Sequence, residues 1–189
     1  MSDIRPAAVA GSFYPATPSR LAAEVRAYLA DVPANPGAPP KALVVPHAGY
    51  IYSGPVAASA YARLLPLAPT VTRVILLGPT HRVPVRGLAV SPARAFATPL
   101  GEVPVDAAAV ERARTLPQVV VSESAHAREH ALEVQLPFLQ SVLGPFAVVP
   151  LAVGDATAEE VAQVLELLWG GPETLIVVSS DLSHYHTYA

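Results

Sequence analysis

Cysteine is absent from this sequence, so the chain offers no disulfide and no thiolate ligand. Any metal it holds must be met by His, Asp or Glu. Charge is scarce as well. Only 14% of the residues are Asp, Glu, Lys or Arg against 52% apolar, a balance that excludes intrinsic disorder and suits a domain rich in buried strands. The net charge of −3 comes without a basic run, which leaves no electrostatic footprint for nucleic acid or an anionic membrane. Long apolar segments are missing too, because proline, glycine or a charge interrupts each one before it could span a bilayer. The opening MSDIRPAAVAGSFYP lacks a cationic start followed by an unbroken apolar stretch and does not read as a signal peptide. A soluble cytoplasmic protein is the expectation. The 189 residues suit one domain with a substantial core, and no internal repeat is found.

Proline is plentiful where glycine is not, at 21 against 11, and most prolines fall between periodic segments, where they end helices and stiffen loops. The 33–40 stretch, PANPGAPP, reads as a loop within one domain, since a single short helix precedes it. Apolar, β-branched runs at 42–45, 74–77, 147–153 and 175–178 show no polar alternation and predict strands buried on both faces. Helical patterns lie between them, at 19–29, 55–65, 106–116, 128–143 and 157–169. Thr157 and Glu160 stand at capping-box spacing, and Pro137 predicts a kink. Strands alternating with helices imply an α/β fold, a largely parallel or mixed sheet with helices on both faces. The 96–105 segment, FATPLGEVPV, suggests a short antiparallel excursion.

In such sheets, ligands bind beyond the carboxyl ends of the strands. Three of the six histidines fall there. Val45 leads through Pro46 to His47, Leu77 through Gly78, Pro79 and Thr80 to His81, and Val178 through Ser179, Ser180 and Asp181 to His184. Parallel strands would bring all three imidazoles and the Asp181 carboxylate to one edge. Imidazole is a common ligand for zinc, iron, copper and nickel, and a carboxylate can complete an open non-haem iron site. A single histidine after a strand is usually a loop residue bonded to backbone or water, but three at equivalent strand ends point to a site.

A second cluster is His126, Glu129, His130 and Glu133. On a helix the two histidines would share a face, as would the two glutamates. The order differs from the zincin HExxH. It reads either as a solvated first turn or as His130 and Glu133 projecting into the pocket for proton transfer. Tyr50 and Tyr52 follow the first histidine, where a phenol either hydrogen-bonds a substrate or packs. Arg5, Phe13 and Tyr14 read as an N-terminal segment folded over the domain, with no chemistry assigned.

The segments RPAAVAGSFYP (5–15), PHAGYIYSG (46–54), GPTH (78–81), TPLG (98–101), EHALEVQLPFLQ (129–140) and SSDLSHY (179–185) together resemble the Memo family. That family is similar in fold to the class III extradiol ring-cleavage dioxygenases. Those enzymes hold Fe(II) with two histidines and a carboxylate and use a further histidine as acid/base. The resemblance implies that His47 and His81 are metal ligands, that Asp181 and His184 line the same pocket, and that His184 takes the acid/base position. It also implies iron or copper as the metal, an oxidoreductase or dioxygenase-like activity, and AMMECR1-like and radical-SAM proteins as partners.

There are two departures from the family pattern. Family members continue well beyond SSDLSHY and carry a cysteine that completes the metal site, whereas this chain stops at Ala189. A single Memo-like domain over 1–189 lacking its C-terminal part is therefore expected, with Asp181, His184 or water as third ligand. In addition, Ala131 stands where the family motif has serine, which implies a weakened hydrogen bond. The leading expectation is a non-haem metalloprotein with redox chemistry on a small or peptide-borne substrate. His47 and His81 would be its ligands, Asp181, His184, His130 and Glu133 its catalytic groups, and Tyr50 and Tyr52 would contact substrate. The alternatives are a peptide- or partner-binding module with a vestigial pocket, and a zinc hydrolase.

Overall fold

The computed structural model describes residues 3–33 and 38–181. Its strands are β1 (Ile4–Arg5), β2 (Ala42–Val45), β3 (Arg73–Pro79), β4 (Leu88–Val90), β5 (Ala95–Thr98), β6 (Gly101–Pro104), β7 (Val119–Val121), β8 (Ala147–Val153) and β9 (Thr174–Ser179). The α-helices are α1 (Pro18–Ala30), α2 (Tyr50–Tyr61), α3 (Ala107–Ala113), α4 (Glu123–Ala127), α5 (Leu136–Val142) and α6 (Ala158–Leu168). Six strands form one mixed sheet in the order β2-β9-β3-β8-β4-β7. Its first four strands are parallel. Strand β4 runs antiparallel to β8 and parallel to β7.

The apolar runs that predict doubly buried strands have this outcome at β3, β8 and β9. Alternate residues feed two cores. Val74, Leu76, Val148, Leu175 and Val177 face one, with Leu21 and Val25 of α1 and Phe138 and Leu139 of α5. Ile75, Leu77, Val149, Leu151 and Ile176 face the other, with Val110 of α3 and Val164 and Leu168 of α6. Strand β2 departs from the expectation. It is the edge of the sheet, so Leu43 and Val45 are buried while Val44 remains 54% exposed.

Helix α6 opens with the expected capping box, in which Thr157 Oγ1 accepts from Glu160 N–H and the Glu160 carboxylate from Thr157 N–H. Asp106 caps α3 through Ala109 N–H. Helix α2 starts five residues before the expected boundary and carries Pro55 inside it, and its end tightens into a 3₁₀ turn over Ala62–Leu67. The carbonyl that Pro55 cannot reach is that of Ile51, in the first turn on the exposed side, where water can serve it. The 96–105 excursion is a hairpin of β5 and β6, joined by β1 into a three-stranded sheet. No helix of the described residues is long and apolar enough to cross a membrane.

The single helix expected over 128–143 is instead broken. Helix α4 stops at Ala127, a 3₁₀ turn forms at Glu133–Gln135, and α5 begins at Leu136. The cause is local. Glu129 turns its carboxylate back to accept the N–H groups of His130 and Ala131, the usual way an acidic side chain diverts backbone donors from a helix. Arg5 meanwhile takes the carbonyls of His126 and Glu129.

Candidate metal centre

The parallel register fixes where the strand-end side chains go. Val45 pairs with Ser179 and Leu77 with Val178, so the ends of β2, β3 and β9 lie side by side. His47, His81 and Asp181, each two residues beyond its strand, share this edge. The interrupted 128–132 segment adds a third imidazole. Gly78 allows its close approach, because a Cβ there would sit 2.9 Å from Leu132 Cδ2 and 3.2 Å from both Ala131 Cβ and Ser179 Cβ.

One nitrogen from each of His47, His81 and His130 lies within 4.8 Å of the other two, an arrangement that could hold a metal ion. The His81 and His130 rings stack at 4.5 Å and 29°. His47 meets both edge-on, at 5.1 Å from His81 and 5.5 Å from His130. Bonds of roughly 2.1 Å to one tetrahedral ion set its ligand atoms about 3.4 Å apart, so nitrogen separations near the 4.8 Å limit must close by about an ångström or more when an ion binds.

The surrounding hydrogen bonds decide the tautomers. Ser179 Oγ has one proton and gives it to the Ala131 carbonyl at 2.6 Å, while it accepts from Gln135 Nε2 at 2.8 Å. His47 Nδ1, 3.0 Å from the same oxygen, must therefore be the donor, which leaves its Nε2 bare. His81 Nδ1 faces Glu129 Oε1 at 2.8 Å, and a carboxylate only accepts, so in the neutral ring the proton sits on Nδ1 and Nε2 is the open nitrogen. Imidazoles tied at one nitrogen and open at the other are the form in which protein histidines bind metals. Burial, opposed by the Asp181 charge, lowers the His47 pKa, and burial also lowers that of His130. Both are thus neutral, as ligation requires. Burial alone would raise the Glu129 carboxyl, but the Ala131 N–H together with the side chain and N–H of His81 bring it below the usual range. The donor set thus fits a metal ion that prefers nitrogen.

A family model for Memo-like proteins matches residues 5–189. The chain belongs to the Memo family. A MEMO1 family protein of Thermotoga maritima is 40% identical over 204 residues, covering 96% of this chain and 70% of that one. The Sulfolobus acidocaldarius MEMO1 family protein is 40% identical over 203 residues, with 98% and 71% covered. That of Archaeoglobus fulgidus is 42% identical over 186 residues, with 94% and 66% covered.

In this Memo-family fold the expected site residues part company. His47, His81 and Asp181 come together. Asp181 Oδ1 accepts the His47 N–H at 2.8 Å, and Oδ2 lies 3.7 Å from His47 Nε2. His130 joins them as a third imidazole rather than as an outlying proton-transfer group. His184 lies outside the described residues.

Glu133, expected to project into the pocket, is instead fully buried away from it. Its carboxylate takes Arg5 Nη1, the N–H groups of Ala8 (2.8 Å) and Val9 (3.0 Å) and the Tyr14 hydroxyl (2.5 Å). Four donors fill its acceptor sites and leave none for a substrate proton. Tyr50, expected at the substrate, is buried and donates to the Val134 carbonyl at 2.7 Å. Tyr52 is exposed on the first turn of α2. His126 shares no face with His130. It is buried with Nε2 donating to the Ala89 carbonyl at 2.9 Å, and burial holds its pKa down to about 4. Ala131, in place of the motif's serine, serves through its backbone, and the hydroxyl on its carbonyl comes from Ser179. Glu129, Ser179 and Gln135 all lie within the motifs that carry the resemblance, but their roles depend on contacts across the fold.

Proposed function

We propose that this Memo-family chain is a non-haem metalloprotein that holds a transition-metal ion on His47, His81 and His130. As iron or copper, this ion would serve redox chemistry on a small or peptide-borne substrate. The observation that carries the reading is the convergence of three imidazoles, two of them with Nδ1 engaged by Ser179 and Glu129. Imidazole suits iron, copper and zinc alike; the preference for a redox metal follows from the resemblance to extradiol dioxygenases. Such an ion, when bound, would supply electron transfer at coordination positions that three protein ligands leave open.

The chain's own residues then bind, orient and manage protons. Glu129 and Ser179 hold two of the rings in register. Asp181 brings a carboxylate oxygen to the rim of the site, where it can complete the ligand set or take a proton from a bound hydroxyl. His184 keeps the acid/base role that the resemblance gives it. AMMECR1-like and radical-SAM proteins are the partners the family suggests.

Anaerobic reconstitution with Fe(II) or Cu(I), followed by oxygen-uptake measurements over a panel of catechols and peptide phenols, tests the redox reading. Uptake that depends on substrate and metal and disappears in His130→Ala is the expected result. Full occupancy by zinc with no uptake would move the assignment to hydrolysis.

A further inference from the structure

The buried ion pair between Arg5 and Glu133 lies outside the three-histidine group, yet everything it holds leads back to it. Arg5 spans the interrupted segment before His130. Its Nε donates to the His126 carbonyl at 3.0 Å and its Nη2 to the Glu129 carbonyl at 2.6 Å, while Nη1 pairs with Glu133 just beyond. The guanidinium therefore clamps both ends of the turn that carries Glu129 and His130. On the other side, Glu133 binds the N–H groups of Ala8 and Val9 and the Tyr14 hydroxyl, fastening the N-terminal segment to the same turn. That segment reaches the site twice more. The Phe13 ring packs edge-on against His130 at 4.7 Å, and the Phe13 carbonyl accepts the Tyr50 N–H at 2.8 Å, at the start of the helix that follows His47.

We infer that Arg5, with Glu133 and Phe13, is a positioning device for the metal centre: the N-terminal segment acts as a brace that sets His130 and Glu129 relative to His47 and His81. A planar fork with several donors in fixed geometry can hold two carbonyls and a carboxylate at once, which a lysine ammonium on a flexible stem cannot do. The brace rests on the reading of the three histidines as a metal site.

The test uses Co(II) as probe, whose visible absorption reports coordination geometry, titrated into the full chain and into Arg5→Lys, Phe13→Leu and His47→Ala/His81→Ala. Arg5→Lys keeps the charge opposite Glu133 but cannot span both carbonyls. Phe13→Leu removes the ring edge against His130 and keeps an apolar side chain against the core. Circular dichroism and metal-free melting establish that each variant is folded at the titration temperature. The expected result is Co(II) binding about tenfold weaker in Arg5→Lys and Phe13→Leu, with an altered spectrum at saturation. A clamp that serves the fold alone would lower the melting temperature and leave affinity and spectrum as in the wild type, which overturns the proposal. Should Arg5→Lys not fold, Phe13→Leu decides by the same criteria. Wild-type protein that binds Co(II) no better than the double-histidine variant would overturn the metal reading itself, and the brace with it. Wild-type binding with unaffected brace variants overturns the brace alone.

Discussion

Replacing Glu129 by Gln is expected to weaken metal binding by about 10–100-fold, the range seen when the outer partner of a ligating histidine is lost. The substitution preserves size, so its effect comes through hydrogen bonding. Both carboxylate oxygens face donors only. Oε2 accepts the His81 N–H at 2.6 Å, and Oε1 accepts His81 Nδ1 at 2.8 Å and the N–H groups of His130 and Ala131 at 2.9 and 3.0 Å. Whichever way a glutamine amide is turned, its NH₂ meets an N–H, and one donor in a buried setting is left without an acceptor. His81 then loses the contact that fixes its tautomer and ring orientation, and His130 loses the turn that places it. Competition titration with a chromogenic chelator measures the change. An affinity within twofold of wild type, in a folded variant, would show that Glu129 does not orient the ligands.

The largest effect on stability is expected at Glu133. Glu133→Ala leaves the Arg5 guanidinium buried without its counter-charge and strips the acceptor from Tyr14 and from two backbone N–H groups. Breaking a buried pair from one side typically costs about 3–5 kcal/mol. At roughly 2–4 °C per kcal/mol for a chain of this size, melting should fall on the order of 10 °C. The Arg5→Met/Glu133→Met double variant is expected to recover only the part due to the unpaired charge, because Tyr14 and the N–H groups of Ala8 and Val9 still lack their acceptor. Thermal unfolding followed by circular dichroism checks both. A Glu133→Ala variant that melts with wild type would mean the carboxylate is served by water rather than by the partners described here.

The sequence reveals the parts of the fold that depend on local pattern and hides those that depend on distant partners. Strands β3, β8 and β9 are continuous apolar runs and are buried on both faces. The same kind of run at β2 belongs to an edge strand, since strand order is not written in periodicity. His47 and His81 are visible because each follows a strand that ends in a turn. His130 is mistaken for a helical residue, because its helical spacing from His126 says nothing of a glutamate that folds back on its own turn. Glu133 looks like a pocket acid until Arg5, 128 residues away in sequence, is found against it. Ser179 and Gln135 matter through one hydroxyl shared among three groups, a relation that only the folded chain displays.

Metal content is the direct measure of a metal centre at His47, His81 and His130. Protein purified without chelator would be analysed by inductively coupled plasma mass spectrometry beside the His47→Ala/His81→Ala variant. Near-stoichiometric iron or copper is expected in the wild type, and it is lost from the folded variant. Folded wild-type protein that carries no more metal than the variant, and takes up none on reconstitution, would show that the three histidines hold no ion.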